Sequence, residues 1–176
     1  MIISDKVKNH RIFLELKLII FVIHHIDIQS LLINLDERMI VVFGSVNVDM
    51  VMAVKTMPRP GDTVLSPSYK MIPGGKGANQ AVAAARAGSE VKFFGSIGQD
   101  DFGKFAISAM EESGVDLTGL SKCAEPTGCA MVCVDATGEN MISVASGANS
   151  KANQSKIPDF LLSKDNTLVL QLETPL

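Results

Sequence analysis

Pro73-Gly74-Gly75-Lys76-Gly77-Ala78-Asn79-Gln80-Ala81-Val82-Ala83-Ala84-Ala85-Arg86-Ala87-Gly88 is the stretch that decides the fold. Three glycines fall in the four positions 74–77, whereas residues 78–87 are almost all helix formers and Gly88 is a C-terminal stop. The pattern predicts a glycine-rich loop opening a helix. Such a loop permits close backbone approach and aims N–H groups at a polar ligand. It is not a Walker loop, because Gly77 rather than Ser or Thr follows Lys76, and a dinucleotide fingerprint would need glycine where Gln80 stands.

Upstream of the loop, residues 39–44 read as a buried strand ending at Gly44, and residues 48–54 and 63–72 as extended pieces joined by a Pro/Gly turn at 57–62. The two extended pieces fit a hairpin. Downstream, a short strand at 90–95 is followed by a turn, with Asp100 as helix cap, and an amphipathic helix over 102–113 that Gly114 closes. Two β-like runs, 128–134 and 140–145, flank Asp135-Ala136-Thr137-Gly138-Glu139, which is hairpin chemistry; alternation puts Ala130 with Val132 and Ile142 with Val144. A short helix near 158–163 and a last buried strand at 167–172 complete the order. Strand, hairpin, helix, strand, helix, hairpin, helix, strand predicts an α/β domain with a parallel core sheet and β-hairpins outside it. Ligands of such sheets bind at the C-terminal strand ends, where Asn47, Asp49, the glycine loop and Glu173 could converge on one crevice.

The 176 residues are 47% hydrophobic and 20% charged, which suits a globular domain with a core. A net charge of −3 gives no basic field for a nucleic acid. Cys123, Cys129 and Cys133 lack metal or redox spacing and read as free thiols in a reducing, cytoplasmic compartment. His10, His24 and His25 all lie far from other candidate ligands, so no metal site or His-based triad is expected.

Residues 1–38 differ from the rest. The apolar run at 12–23 is interrupted by Glu15 and Lys17 and is too short to cross a membrane, and no small-residue cleavage site follows it. Met39 directly precedes the first strand and is a second candidate start, which makes residues 1–38 an upstream extension with no part in the fold.

Gly75-x-Gly77-x-Asn79-x-Ala81, then Gly88 and Gly98, together with Gly44-Ser45-Val46-Asn47-Val48-Asp49 and Gln171-Leu172-Glu173-Thr174-Pro175, resembles the ribokinase family of carbohydrate kinases, the phosphofructokinase-B type. The resemblance covers residues 39–176 and points to the ribose-using branch. It implies a ribokinase-like parallel core sheet flanked by helices, a small β-hairpin lid, and transfer of the ATP γ-phosphate, with Mg²⁺, to the primary hydroxyl of ribose or a similar sugar. Asn47 and Asp49 would hold sugar hydroxyls, Gly75, Lys76, Gly77 and Asn79 would wrap the sugar, and Glu173 would close the far side. Ala130, Val132 and Val144 would line a lid that excludes water; apart from the resemblance, the competing reading as an interaction module expects a homodimer through that lid. The donor and acceptor mixture suits this use independently, since sugar hydroxyls both donate and accept.

The same residues have plainer readings: Asn47 and Asp49 as turn residues, Asn79 as a helix cap, Lys76 and Glu173 as solvated charges, and the lid trio as hairpin packing. The family's catalytic aspartate lies in a Gly-Ala-Gly-Asp motif, and no such motif occurs in this sequence. A truncated chain is therefore expected, with no catalytic residue of its own, an uncovered apolar sheet edge and a tendency to aggregate. A non-catalytic sugar-binding or interaction module is the competing function.

Overall fold

A computed structural model describes residues 38–175. The expectations for 1–37 lie outside the described residues, and one unit begins at Met39. In order, the elements are β1 (Met39–Phe43), β2 (Asn47–Ala53), β3 (Tyr69–Gly74), α1 (Lys76–Arg86), β4 (Glu90–Gly98), α2 (Asp101–Glu112), β5 (Asp116–Cys123), β6 (Gly128–Val134), β7 (Asn140–Ala145), three 3₁₀ turns (Gly147–Lys151, Gln154–Lys156, Asp159–Leu162) and β8 (Thr167–Leu170).

Two four-stranded sheets result, ordered β5-β4-β1-β8 and β3-β2-β6-β7. The first is parallel throughout. Alternation along β1 divides its faces: Val42 packs with Val91, Phe93, Ala81, Ala106 and Met110 under α1 and α2, while Val41 and Phe43 pack with Phe94, Ile157 and Leu161 on the face covered by 3₁₀ turns. Small alanines on α1, with Ala78 and Ala81 buried, let that helix lie close to the sheet.

The second sheet is more than a hairpin. The β2–β3 and β6–β7 hairpins are both antiparallel, and a parallel β2–β6 pairing fuses them. Its anchor is Asp100, which caps α2 by accepting from the Gly103 N–H at 2.8 Å and also accepts from the Thr127 N–H at 2.8 Å and the Thr127 hydroxyl at 2.6 Å. Thr127 immediately precedes β6, so the helix cap also fixes where that strand starts.

Four expectations need correction. Residues 63–68 are not strand, because Pro67 cannot donate to a ladder and Ser66 instead bonds the carbonyls of Ala53 and Ser68. β5 has no counterpart in the predicted order; its Asp116, Gly119 and Lys122 are of types depleted in strands, and pairing with β4 at the sheet edge holds it in place. The helix near 158–163 is a four-residue 3₁₀ turn. The strand expected to be buried at 167–172 stops at Leu170 and is an edge strand paired only with β1, with Leu168 and Leu170 42% and 48% exposed.

α1 begins where the chain is tightest. Gly75 has φ +94, and a Cβ there would lie 2.7 Å from the Ser45 carbonyl oxygen; a Cβ on Gly77 would lie 2.7 Å from the Gly44 carbonyl carbon and the Ser45 nitrogen. Both obstacles are backbone, so neither can swing aside. Gly77→Ala should therefore destabilise the domain by about 1–3 kcal/mol, the usual cost of overpacking, whereas Gly61→Ala, in open space, costs only its local backbone strain. Denaturant melts of the two variants check the ordering.

Candidate functional site

The junction Gly44-Ser45-Val46 carries the chain from the first sheet to the second, at the C-terminal end of β1. The Gly44 N–H donates to the Phe94 carbonyl at 3.0 Å, and the Ser45 carbonyl accepts from the Ala78 N–H at 3.0 Å. The Ser45 hydroxyl accepts from the Gly77 N–H at 3.4 Å and donates to Glu173 Oε2 at 2.7 Å. Val46 is held through its N–H and carbonyl by the side chain of Asn149.

Helix α1 opens without a side-chain cap on Gly75, and the first-turn N–H groups find other partners. Ser45 takes those of Gly77 and Ala78. The Glu173 carboxylate, which accepts from the Ser45 hydroxyl, pairs with Lys76 Nζ at the same helix start. An acceptor carboxylate at a helix N-terminus is the favoured electrostatic arrangement. The Gly77 and Ala78 N–H groups thus face the protein's own oxygens, and the side chains of Lys76 and Asn79 are turned to the crevice.

Those side chains meet the others across a crevice of about 140 Å³ lined by Asn47, Asp49, Gly75, Lys76, Asn79 and Glu173 on its polar side. Ala130, Val132, Ile142 and Val144, from β6 and β7, line its apolar side. The register explains the apolar wall: Asp49 sits opposite Ala130, which sits opposite Val144, and Val132 sits opposite Ile142, so all point to one face. A second hollow of about 260 Å³ shares Asn47, Val144 and Glu173 with the crevice and is lined also by Ser45, Ser146 and Asn149. A larger hollow of about 520 Å³ lies elsewhere, beside Lys92, Ser121, Lys122 and Lys156, but it gathers no amide or carboxylate and does not have the mixed donors and acceptors of the crevice.

Every residue expected at the site except Gly77 lines the crevice; Gly77 is buried beneath it against Gly44. Asn79 lies in the first turn of α1, where its N–H bonds the Gly75 carbonyl, and the cap position belongs to Gly75. Ser45, Ile142 and Asn149 were missed. Ile142 shares the alternation of Val144, a signal that was present, whereas nothing local marks Asn149.

Charge is distributed unevenly. Burial, and then the neighbouring Glu173 carboxylate, raise the Asp49 pKa above the ordinary aspartate value, with Lys76 opposing. For Glu173 burial also acts upward, but hydrogen bonds from Lys76 and Ser45 outweigh it and leave the pKa below the ordinary value. All three cysteines are free thiols. Among the described residues no cluster of three metal-ligating side chains occurs, and no helix is long and apolar enough to cross a membrane. Because its folded pKa is depressed, Glu173 contributes stability above its unfolded pKa and loses it as pH falls through the folded value. Glu173→Gln should lower the melting temperature by on the order of 2 °C at pH 7, the size expected for a pair whose lysine is largely exposed. The difference between variant and parent should shrink as pH falls through the depressed folded pKa of Glu173.

A family model for pfkB family carbohydrate kinases matches residues 37–174. The ribokinase of Haemophilus influenzae is 40% identical over 143 residues, which are 80% of this chain and 47% of that protein. Among solved structures, a ribokinase from Cryptococcus neoformans in complex with ADP is 37% identical with a TM-score of 0.69, covering 78% of this chain and 43% of that one. An Arabidopsis thaliana ribokinase complexed with ribose and ATP is 31% identical with a TM-score of 0.65, covering 78% of this chain and 46% of that one. The chain spans about half the length of the curated relatives it matches. A model match over most of the chain, relatives at this identity and a fold shared with solved structures lead to one conclusion: the chain belongs to the pfkB family of carbohydrate kinases.

Proposed function

We propose that residues 39–176 form the sugar-holding part of a kinase for ribose or a closely similar sugar. The observation that carries this is the convergence of Asn47 and Asp49 from β2, Lys76 and Asn79 from α1, and Glu173 from beyond β8 on one crevice with an apolar wall. A sugar has exactly those two aspects, hydroxyls at its edge and C–H groups on its faces. Asp49, when ionised, accepts from two hydroxyls, and Asn79 and Lys76 donate. Ala130, Val132 and Val144 would close over the C–H face and keep water out.

ATP and Mg²⁺ would serve the whole kinase. The residues described do not fit them: the Gly77 and Ala78 N–H groups at the start of α1 are taken by Ser45, Asp100 caps α2, and no side-chain cluster suits a divalent ion. No phosphoryl-transfer step is assigned to this chain, and no catalytic residue within it.

A second reading, a sugar-binding module that pairs with another copy through the lid, is favoured by Ile142 and Val144, which are 52% and 53% exposed on the outermost strand of the second sheet. Sedimentation with and without ribose tests it; a monomer at all concentrations excludes it.

Asp49 separates binding from stability. Its raised pKa means that its charge is unfavourable in the fold, so its contribution to stability is greatest below the unfolded pKa and is lost as pH rises through the folded one. Asp49→Asn should raise the melting temperature at pH 7 yet weaken ribose binding about 10- to 100-fold, the effect of losing one charged hydrogen bond. Calorimetric titration with ribose measures the second effect. The parent's affinity should decline with falling pH sooner than an ordinary aspartate would allow, and a parent chain that binds no ribose at any pH overturns the proposal.

A further inference from the structure

We propose that Asn149 is a positioning residue: it locks the side-chain amide of Asn47 so that the N–H₂ group, not the carbonyl, faces the crevice. The inference rests on reading that crevice as the sugar site. Asn149 is only 2% exposed and lies in the 3₁₀ turn Gly147–Lys151 that follows β7. Its Oδ1 accepts from the Val46 N–H at 2.8 Å. Its Nδ2 donates to the Val46 carbonyl at 3.1 Å and to Asn47 Oδ1 at 2.7 Å.

The directions of these bonds are dictated. A backbone N–H can only donate and a carbonyl can only accept, so Val46 determines which end of the Asn149 amide is which. The end left for Asn47 is a donor. Asn47 must answer with its oxygen, and its own N–H₂ is thereby turned to the other side. There Asn47, 4% exposed, lines the crevice, and its Nδ2 has no hydrogen-bond partner among the described residues. Two residues along the same strand face stands Asp49, which when ionised can only accept. The pair then offers one donor and one acceptor side by side, the complement of neighbouring hydroxyls.

The surroundings are shaped for this clamp. Gly128 is the β6 partner of Asn47, and a Cβ there would fall in the space of the Asn47–Asn149 bond, with the Val46 carbonyl oxygen 3.0 Å away. The turn bearing Asn149 is itself tied down by the Ala148 N–H, which donates to the Pro126 carbonyl at 2.8 Å. With an acceptor at position 149 in place of the donor, the Asn47 amide would reverse and present its oxygen beside Asp49, leaving two acceptors and no donor.

Nuclear magnetic resonance on the isotope-labelled full chain tests this through exchange of side-chain amide protons with water. The Asn47 N–H₂, facing an open crevice, should exchange at least about tenfold faster than the buried Asn149 N–H₂. In Asn149→Asp, the Asn47 N–H₂ should turn inward and slow by a similar factor, while ribose affinity falls about 10- to 100-fold. An Asn47 N–H₂ as protected as that of Asn149 in the parent chain overturns the inference, as does an Asn149→Asp variant that leaves Asn47 exchange unchanged. Should Asn149→Asp fail to fold, the parent's exchange rates decide alone. A parent that binds no ribose yet shows the predicted exchange contrast defeats the sugar reading and leaves the clamp standing.

Discussion

The opening turn of α1 is pressed against the Gly44–Ser45 junction so tightly that only hydrogen atoms fit between the two backbones. Everything at the candidate site depends on that contact. Because the helix starts there, Lys76 and Asn79 are delivered to the side of the junction where β2 carries Asn47 and Asp49. Because the approach leaves no room for water, the Gly77 and Ala78 N–H groups need protein partners; Ser45 supplies them, and its hydroxyl in turn donates to Glu173. Glu173 is thus bound into the site from a segment 97 residues beyond Lys76 in the chain. The glycines of this family motif are explained first by contact between two chain segments and only then by room for a ligand.

Much of this was readable in the sequence, for identifiable reasons. The alanine-rich helix after the glycine cluster, the Asp135–Glu139 turn and the β1 run each have strong local preferences that agree with the fold, although the helix starts earlier than expected, at Lys76, and of residues 74–77 only Gly75 lies outside a strand or helix. What escaped notice depended on tertiary context. β5 owes its form to pairing with β4, and β8 reads as a buried strand because its residues are apolar, although an edge position leaves them exposed. The fusion of two hairpins into one sheet rests on the parallel pairing of β2 with β6, about 80 residues apart, and no local signal encodes it.

The site divides in the same way. Asn47, Asp49, Lys76, Asn79 and Glu173 are polar residues beside predicted strand ends or a helix start, so topology alone suggested their convergence. Ser45 and Asn149 act on backbone and on other side chains rather than on a ligand, and buried small polar residues of this kind look like any loop residue until their partners are known. Asp49 shows the tension that such a site creates: burial and the nearby Glu173 make its charge unfavourable, yet that charge is what an acceptor for hydroxyls requires. Stability is given up locally at the position where binding needs it.

The central claim is that one ligand-binding crevice is built jointly by the β1–β2 region, the start of α1 and the apolar face of β6 and β7. Hydrogen–deuterium exchange of the chain with and without saturating ribose tests it most directly. Slowed exchange at residues 47–49, 75–79 and 128–145 together, with the Lys92 and Lys156 hollow unchanged, is the predicted result. Protection confined to that other hollow, or to only one of the three segments, would contradict the account.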